Sequence, residues 1–171
     1  SRNFYPITLM KPNHSLKKLT TIKIGGPAKY FVKVKNEKKL IETLKWTRKL
    51  KTKYYVIGKG SNLIPSDKSF DGLIIKNEIK NFKRNDNKVL VGAGNNLLQF
   101  IFKLNTLGLT GIEKLAGIPG TVGGAIYGSA GAYGQEIKDN LVRVKIFDGD
   151  ETKWLSKKQC HFKYRDSIFK S

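Results

Sequence analysis

Apolar and polar positions change period repeatedly along this chain. Tyr30-Phe31-Val32-Lys33-Val34 alternates as a half-buried strand does. Asn36 then suits an N-cap, and Leu40, Ile41, Leu44 and Thr47 fall on one stripe of a helix running through Leu50. Trp46 lies off that stripe and is placed to cover a neighbouring element. Tyr54-Tyr55-Val56-Ile57 is a short apolar run that stops at Gly58, and Leu73-Ile74-Ile75 reads as a further strand. Asn81 to Lys88 is polar and charged, a loop or hairpin end, before a strand over Val89-Leu90-Val91. Leu97, Leu98, Ile101 and Leu104 define a second helix that Gly108 can close. Val142, Val144 and Ile146 alternate with Arg143 and Lys145, and Asp148-Gly149-Asp150 is a strong hairpin turn. Ser156 with Gln159 forms a capping-box pattern. Strands interleaved with short helices predict an α+β fold containing at least one mixed sheet.

Composition narrows the class. A chain of 171 residues suits one moderate domain or two small ones. With 39% hydrophobic and 27% charged residues it is a globular sequence and not a disordered tail. No apolar run approaches the roughly 18 residues of a membrane helix, and the lysine-rich start is too polar for a signal peptide. A lone cysteine, Cys160, excludes an internal disulfide and fits a reducing compartment. His14 and His161 show no metal-ligand spacing, so no metal site is expected, and nothing pairs with Cys160 as a nucleophile.

The net charge of +20 has three readings: nucleic-acid binding, steering of anionic small molecules, or lysines spread over solvated faces. Lysines occur in every segment without a long run, which favours the last and disfavours nucleic acid. Residues 1–19 are polar, basic and aperiodic, as an extended surface arm is.

The candidate chemistry lies in two glycine-rich turns. Gly58-Lys59-Gly60-Ser61-Asn62 follows an apolar run. Gly58 and Gly60 let the main chain approach a ligand closely, their amides with those of Ser61 and Asn62 can converge on an anion, and Lys59 faces solvent. Leu115 to Ala125 places Ile118, Pro119, Gly120, Thr121, Gly123 and Gly124 in one tight turn. Neither turn has the Gly-x-Gly-x-x-Gly spacing of a Rossmann fingerprint, and no Gly-Lys-Ser/Thr closes a Walker loop. A ligand-free structural turn remains the alternative for each.

In order along the chain come Asn13-His14-Ser15-Leu16, Thr20 to Ala28, the Gly58 turn, Val91-Gly92-Ala93-Gly94, the Leu115 to Ala125 run, Ala130-Gly131-Ala132-Tyr133-Gly134, and Tyr164 to Lys170. Together they resemble the UDP-N-acetylenolpyruvoylglucosamine reductases, flavoenzymes of bacterial peptidoglycan precursor synthesis. The resemblance covers nearly the whole chain. It implies an FAD-binding fold of the vanillyl-alcohol-oxidase/PCMH type, with two small α+β subdomains at 20–76 and 77–171. It also implies FAD as cofactor, NADPH as electron donor, a UDP-sugar substrate, a cytoplasmic monomer, and a role in cell wall biogenesis, cell shape and division. The family continues beyond the Tyr-Arg-Asp-Ser segment into a substrate domain carrying an acid serine and a glutamate, so this chain is expected to be the FAD-binding part, poorly active alone.

In the resemblance, Gly58, Gly60, Ser61 and Asn62 contact the cofactor, as do Ile118, Pro119, Gly120, Thr121, Gly123 and Gly124. Ser129, Ala130, Gly131 and Tyr133 continue the flavin pocket, but Ser129 stands where the family commonly has Asn, losing the amide's reach and second donor. Arg165 becomes the catalytic candidate, a fixed fork able to oppose enolate charge, with Tyr164 beside the substrate. A surface Arg165–Asp166 pairing is the bland reading of the same residues. Two other functions stay open, namely another FAD-linked oxidase of the same fold and an inactive binding module.

Overall fold

Four strands build one mixed sheet: β1 (Lys11–Ser15), β2 (Pro27–Val34), β3 (Tyr54–Ile57) and β4 (Phe70–Asn77), in the order β1-β2-β4-β3. The computed structural model describes residues 10–170, and the chain divides after Ile79 into two units. β1 runs antiparallel to β2, while β2, β4 and β3 are mutually parallel. Both faces of the parallel strands are covered, which is why Leu73, Ile74 and Ile75 are all buried in a continuous apolar run. One face packs Ala28, Phe31, Ile57 and Ile74 against Leu16 and Leu19. The other packs Val32, Val34, Leu73 and Ile75 against Leu40, Leu44 and Trp46.

The last three come from α1 (Glu37–Lys49), which starts where Asn36 accepts a hydrogen bond from the Lys39 amide at 2.8 Å. Its buried stripe differs from the expected one. Thr43 and Thr47 are the buried residues and Ile41 is half-buried. Each hydroxyl donates to a backbone carbonyl of its own helix, Lys39 and Leu44 respectively at 2.7 Å, so threonine enters the interface without an unmet polar group. Trp46 covers a neighbour as expected, meeting Tyr30 edge-on at 6.3 Å.

The expected arm differs more. Residues 1–9 lie outside the described residues, but Lys11 to Ser15 pair with β2 as part of the sheet. Apolar alternation missed this strand because an imidazole provides its packing. The His14 ring stacks on Phe31 at 4.1 Å and 9°. The boundary between units also falls later than residue 76, because β4 runs to Asn77 and the Glu78 amide still bonds the Val34 carbonyl at 2.8 Å.

The second unit starts with a hairpin of β5 (Phe82–Asn85) and β6 (Lys88–Val91), where the sequence left a loop open as an alternative. Asp86 turns it in the left-handed region at φ +52°. α2 (Leu97–Thr106) follows, capped by Asn96 on the Gln99 amide at 3.0 Å and closed by Gly108 at φ +70°. Then come α3 (Val122–Tyr127), the short pair β7 (Gly131–Ala132) and β8 (Gln135–Glu136), and the hairpin β9 (Arg143–Phe147) and β10 (Thr152–Ser156). Leu97, Ile101 and Leu104 of α2 meet Ile112, Leu115, Val122, Ala125, Ala130 and Ile137 in the core of this unit. The core is therefore organised around α2 and the turns that follow it, and Leu98 faces outward. The capping box forms, with Ser156 and Gln159 bonding reciprocally at 2.9 and 3.4 Å.

Candidate functional site

In the first unit, β3 ends at Ile57 and the chain turns through Gly58 to Asn62. Gly60 is buried at φ +73°, and a Cβ there would stand 2.0 Å from the Leu19 carbonyl oxygen. The Thr21 amide donates to the Gly60 carbonyl at 3.1 Å. Glycine at this position thus brings the Thr20 segment against the turn. Gly26 continues the junction, since its Cβ would meet the Asp67 and Lys68 carbonyls at 2.3 and 2.5 Å. Two motifs remote in sequence form one substructure. Gly58 and Ser61 are half-buried within it, and Lys59 and Asn62 are exposed.

In the second unit the longer glycine run forms two joined turns. The Ile118 amide returns to the Leu115 carbonyl at 2.9 Å, closing a 3-10 turn over Glu113–Gly117. Pro119 is exposed, and Gly120 follows at φ +148°. Thr121 then caps α3, its Oγ1 accepting from the Gly124 amide at 3.2 Å. The Leu97 amide donates to Gly120, the Val122 amide to Asn95 and the Gly123 amide to Ala93, at 3.1, 2.9 and 2.9 Å. A Cβ on Gly123 would lie 2.7 Å from that of Ala93. The Gly92-Ala93-Gly94 motif is therefore what Gly123 accommodates. The amides of Val122, Gly123 and Gly124 are spent inside the fold.

The far end of α3 carries the next candidates. The Ser129 amide bonds Ile126 and the Ala130 amide reaches back to Ala125, at 3.1 and 2.8 Å, the bond pattern of a Schellman cap. That cap sets its C′ residue left-handed, a place for glycine or asparagine, and Ser129 holds it at φ +46°. Ser129 is 1% exposed, and its Oγ has no hydrogen-bond partner among the described residues. Ala130 is buried, Gly131 half-buried, and Tyr133 with Gly134 turns the β7–β8 hairpin at φ +50° and +76°. Two consecutive positive φ values define a type I′ loop. Tyr133 projects from it, 85% exposed.

Tyr164 and Arg165 occupy the tip of another tight turn. Lys163 and Asp166 exchange backbone hydrogen bonds of 2.9 and 3.1 Å beneath them. Arg165 is left-handed at φ +54°, its guanidinium 5.9 Å from the Tyr164 ring, and both side chains are exposed. Phe162 and Phe169 meet edge-on at 6.4 Å across the base. Ser167 is buried, and its hydroxyl donates to the Tyr127 carbonyl at 2.7 Å. Ser167 lies in the quoted motif without a role of its own there, and no sequence signal marked the left-handed backbone at Ser129 and Arg165, because neither residue type announces positive φ. Cys160 is buried, its thiol pushed up by desolvation and bonded to the Ser156 carbonyl at 3.3 Å, a packed group and not a nucleophile. Among the described residues no three His, Cys, Asp or Glu side chains cluster as a metal site.

These features meet a recognised class. FAD binding domains match residues 28–154, and the chain belongs to that family. It is similar to the UDP-N-acetylenolpyruvoylglucosamine reductase of Solibacter usitatus, 41% identical over 151 residues, covering 88% of this chain and 48% of that protein. The reductase of Protochlamydia amoebophila is 38% identical over 175 residues, covering 98% and 58%. The crystal structure of UDP-N-acetylenolpyruvylglucosamine reductase from Thermus caldophilus matches with a TM-score of 0.75 at 32% identity, covering 92% of this chain and 57% of that one. Cholesterol oxidase from Brevibacterium sterolicum shares the fold alone, at a TM-score of 0.63 and 11% identity. The reductase resemblance and the α+β FAD-binding fold are borne out. The chain spans about half the length of the curated relatives it matches. One observation of the structure bears on the fit to FAD: the Ser129 hydroxyl, which the resemblance places beside the flavin, is buried without a partner among the described residues.

Proposed function

We propose that the whole protein reduces UDP-N-acetylglucosamine enolpyruvate to UDP-N-acetylmuramate with FAD and NADPH, and that this chain supplies its flavin-binding part. The observation that carries the reading is the role of α3. It joins the glycine turn at its first residue to Ser129 and to the Tyr164–Ser167 turn at its last. In this reading the amides of Gly58, Gly60, Ser61 and Asn62 are the first unit's candidates for contact with FAD phosphate, and Gly120 and Thr121 are the second unit's, each unit taken by itself. Ile118 and Pro119 give apolar contact, and Gly123 and Gly124 shape the turn beneath them. Ser129, Ala130, Gly131 and Tyr133 border the ring system.

When bound, FAD would supply the hydride-transfer chemistry that links NADPH to the enol ether. The chain's own contribution is electrostatic. Arg165 holds a permanent, forked positive charge against the carboxylate and the enolate charge that grows beside it. Tyr164 offers a hydroxyl to the same substrate group. The proposed setting is peptidoglycan precursor synthesis in the cytoplasm, acting on small molecules as a monomer; cell shape and division depend on that product. Among the described residues no helix is long and apolar enough to cross a membrane.

Stopped-flow measurement of the two half-reactions tests this reading. In the whole enzyme, Arg165→Ala slows reoxidation of the flavin by substrate at least a hundredfold and leaves its reduction by NADPH within about twofold. Equal effects on both half-reactions would remove the role assigned to Arg165.

A further inference from the structure

We infer that Ser167 is a positioning residue for Arg165, locking the turn that presents the guanidinium onto the C-terminal end of α3. The inference rests on the reading of Arg165 given above and extends it to a buried residue of the same turn.

A helix leaves its last four carbonyls without partners of its own. In α3, three of them are met locally: Gly124 by the Gly128 amide, Ala125 by Ala130 and Ile126 by Ser129. Tyr127 is met from forty positions away, by the Ser167 hydroxyl at 2.7 Å. Ser167 is only 4% exposed, so this bond forms out of water and holds one geometry. A second tie runs alongside it. The Lys170 ammonium lies 5.9 Å from the Tyr127 ring centroid and donates to the Arg165 carbonyl.

The turn needs such ties. Arg165 is an L-residue in the left-handed region, a conformation that persists only where the surroundings impose it. Its own closure is two backbone bonds between Lys163 and Asp166. The side chains at the tip are exposed, so among the described residues it is the base of the turn that fixes it. The same end of α3 carries Ser129, two residues after Tyr127. Ser167 therefore references the guanidinium to the helix that also bears the flavin segment.

The experiment uses the whole reductase with Ser167→Ala, Ser167→Thr and Arg165→Ala. Ser167→Ala is expected to slow substrate-dependent reoxidation about tenfold, since small misplacement of a charged group is costly. FAD retention and NADPH-dependent reduction stay within about twofold. Hydrogen exchange of the 163–166 amides quickens, and Ser167→Thr, which keeps the donor, restores both reoxidation and protection. Normal reoxidation in Ser167→Ala beside slow Arg165→Ala would overturn the inference and spare the reading beneath it. Loss of FAD and of both half-reactions without rescue by Thr would overturn it too, marking Ser167 as merely structural. Normal reoxidation in Arg165→Ala would overturn the underlying reading and the inference with it.

Discussion

Replacing Ser129 by glycine should make the FAD-free protein more stable, although it removes a buried side chain. Three effects combine. Relief of the left-handed backbone at φ +46° is worth roughly 1 kcal/mol. Removing a buried hydroxyl that has no partner is worth roughly 1–3 kcal/mol more. The wider freedom of glycine in the unfolded chain opposes these by roughly 0.5–1 kcal/mol. The net is a gain of about 2 kcal/mol, or a rise in Tm of roughly 4–8 °C for a chain of this size. Ser129→Ala separates the contributions, because it removes the hydroxyl and keeps the strained backbone, and should gain roughly 1–3 kcal/mol from the hydroxyl alone, close to the glycine variant. Urea unfolding of the three proteins without FAD measures the series. FAD should reverse part of the order. A hydroxyl that bonds the cofactor contributes roughly 0.5–1.5 kcal/mol, so both variants should bind FAD about two- to tenfold more weakly. A glycine variant less stable than its parent would refute the strain argument, and unchanged FAD affinity would refute the contact.

Gly60→Ala should destabilise the first unit by on the order of 3 kcal/mol, since both the φ of +73° and the 2.0 Å approach to the Leu19 carbonyl forbid a Cβ. Gly117→Ala, where a Cβ meets nothing within 4 Å, should stay within about 0.5 kcal/mol in the same denaturation assay. His14 offers a pH test: burial against its surroundings, then the charges of Lys11, Lys18, Lys33 and Lys76, lower its pKa below the ordinary value. The unfolded chain therefore binds the proton more readily, so stability is full above about pH 6.5 and falls as acid titrates the folded imidazole. His14→Phe keeps the stack on Phe31 and should flatten that acid-side loss in Tm against pH; an unchanged profile would place its origin elsewhere.

How legible the molecule was in its sequence depended on what held each element. Helix α1 was legible from its capping Asn36 and apolar stripe, α2 from its stripe and the closing Gly108, and the β9–β10 hairpin because Asp148-Gly149-Asp150 has little alternative. β1 was hidden, since its packing comes from an imidazole lying on Phe31, which no period of apolar residues records. The buried stripe of α1 was misread at Thr43 because local back-bonding to Lys39 conceals the hydroxyl. The candidate site was legible as an ordered set of motifs, not as geometry. That Gly60 serves Leu19, that Gly123 serves Ala93, and that Ser167 closes α3 are facts of distant contacts. Ser129 is the clearest case. As a motif departure it signified a lost hydrogen bond, whereas the structure adds a strained backbone that asparagine tolerates better than serine.

Titration of the purified chain with FAD decides whether its glycine turns and the Ser129 segment form a flavin site. Saturable binding is predicted, with a perturbed visible flavin spectrum, weakened by Ser129→Gly and insensitive to added nucleic acid. A flavin spectrum unchanged at high FAD, together with salt-sensitive binding of DNA or RNA, would mark the chain as a binding module without a flavin site.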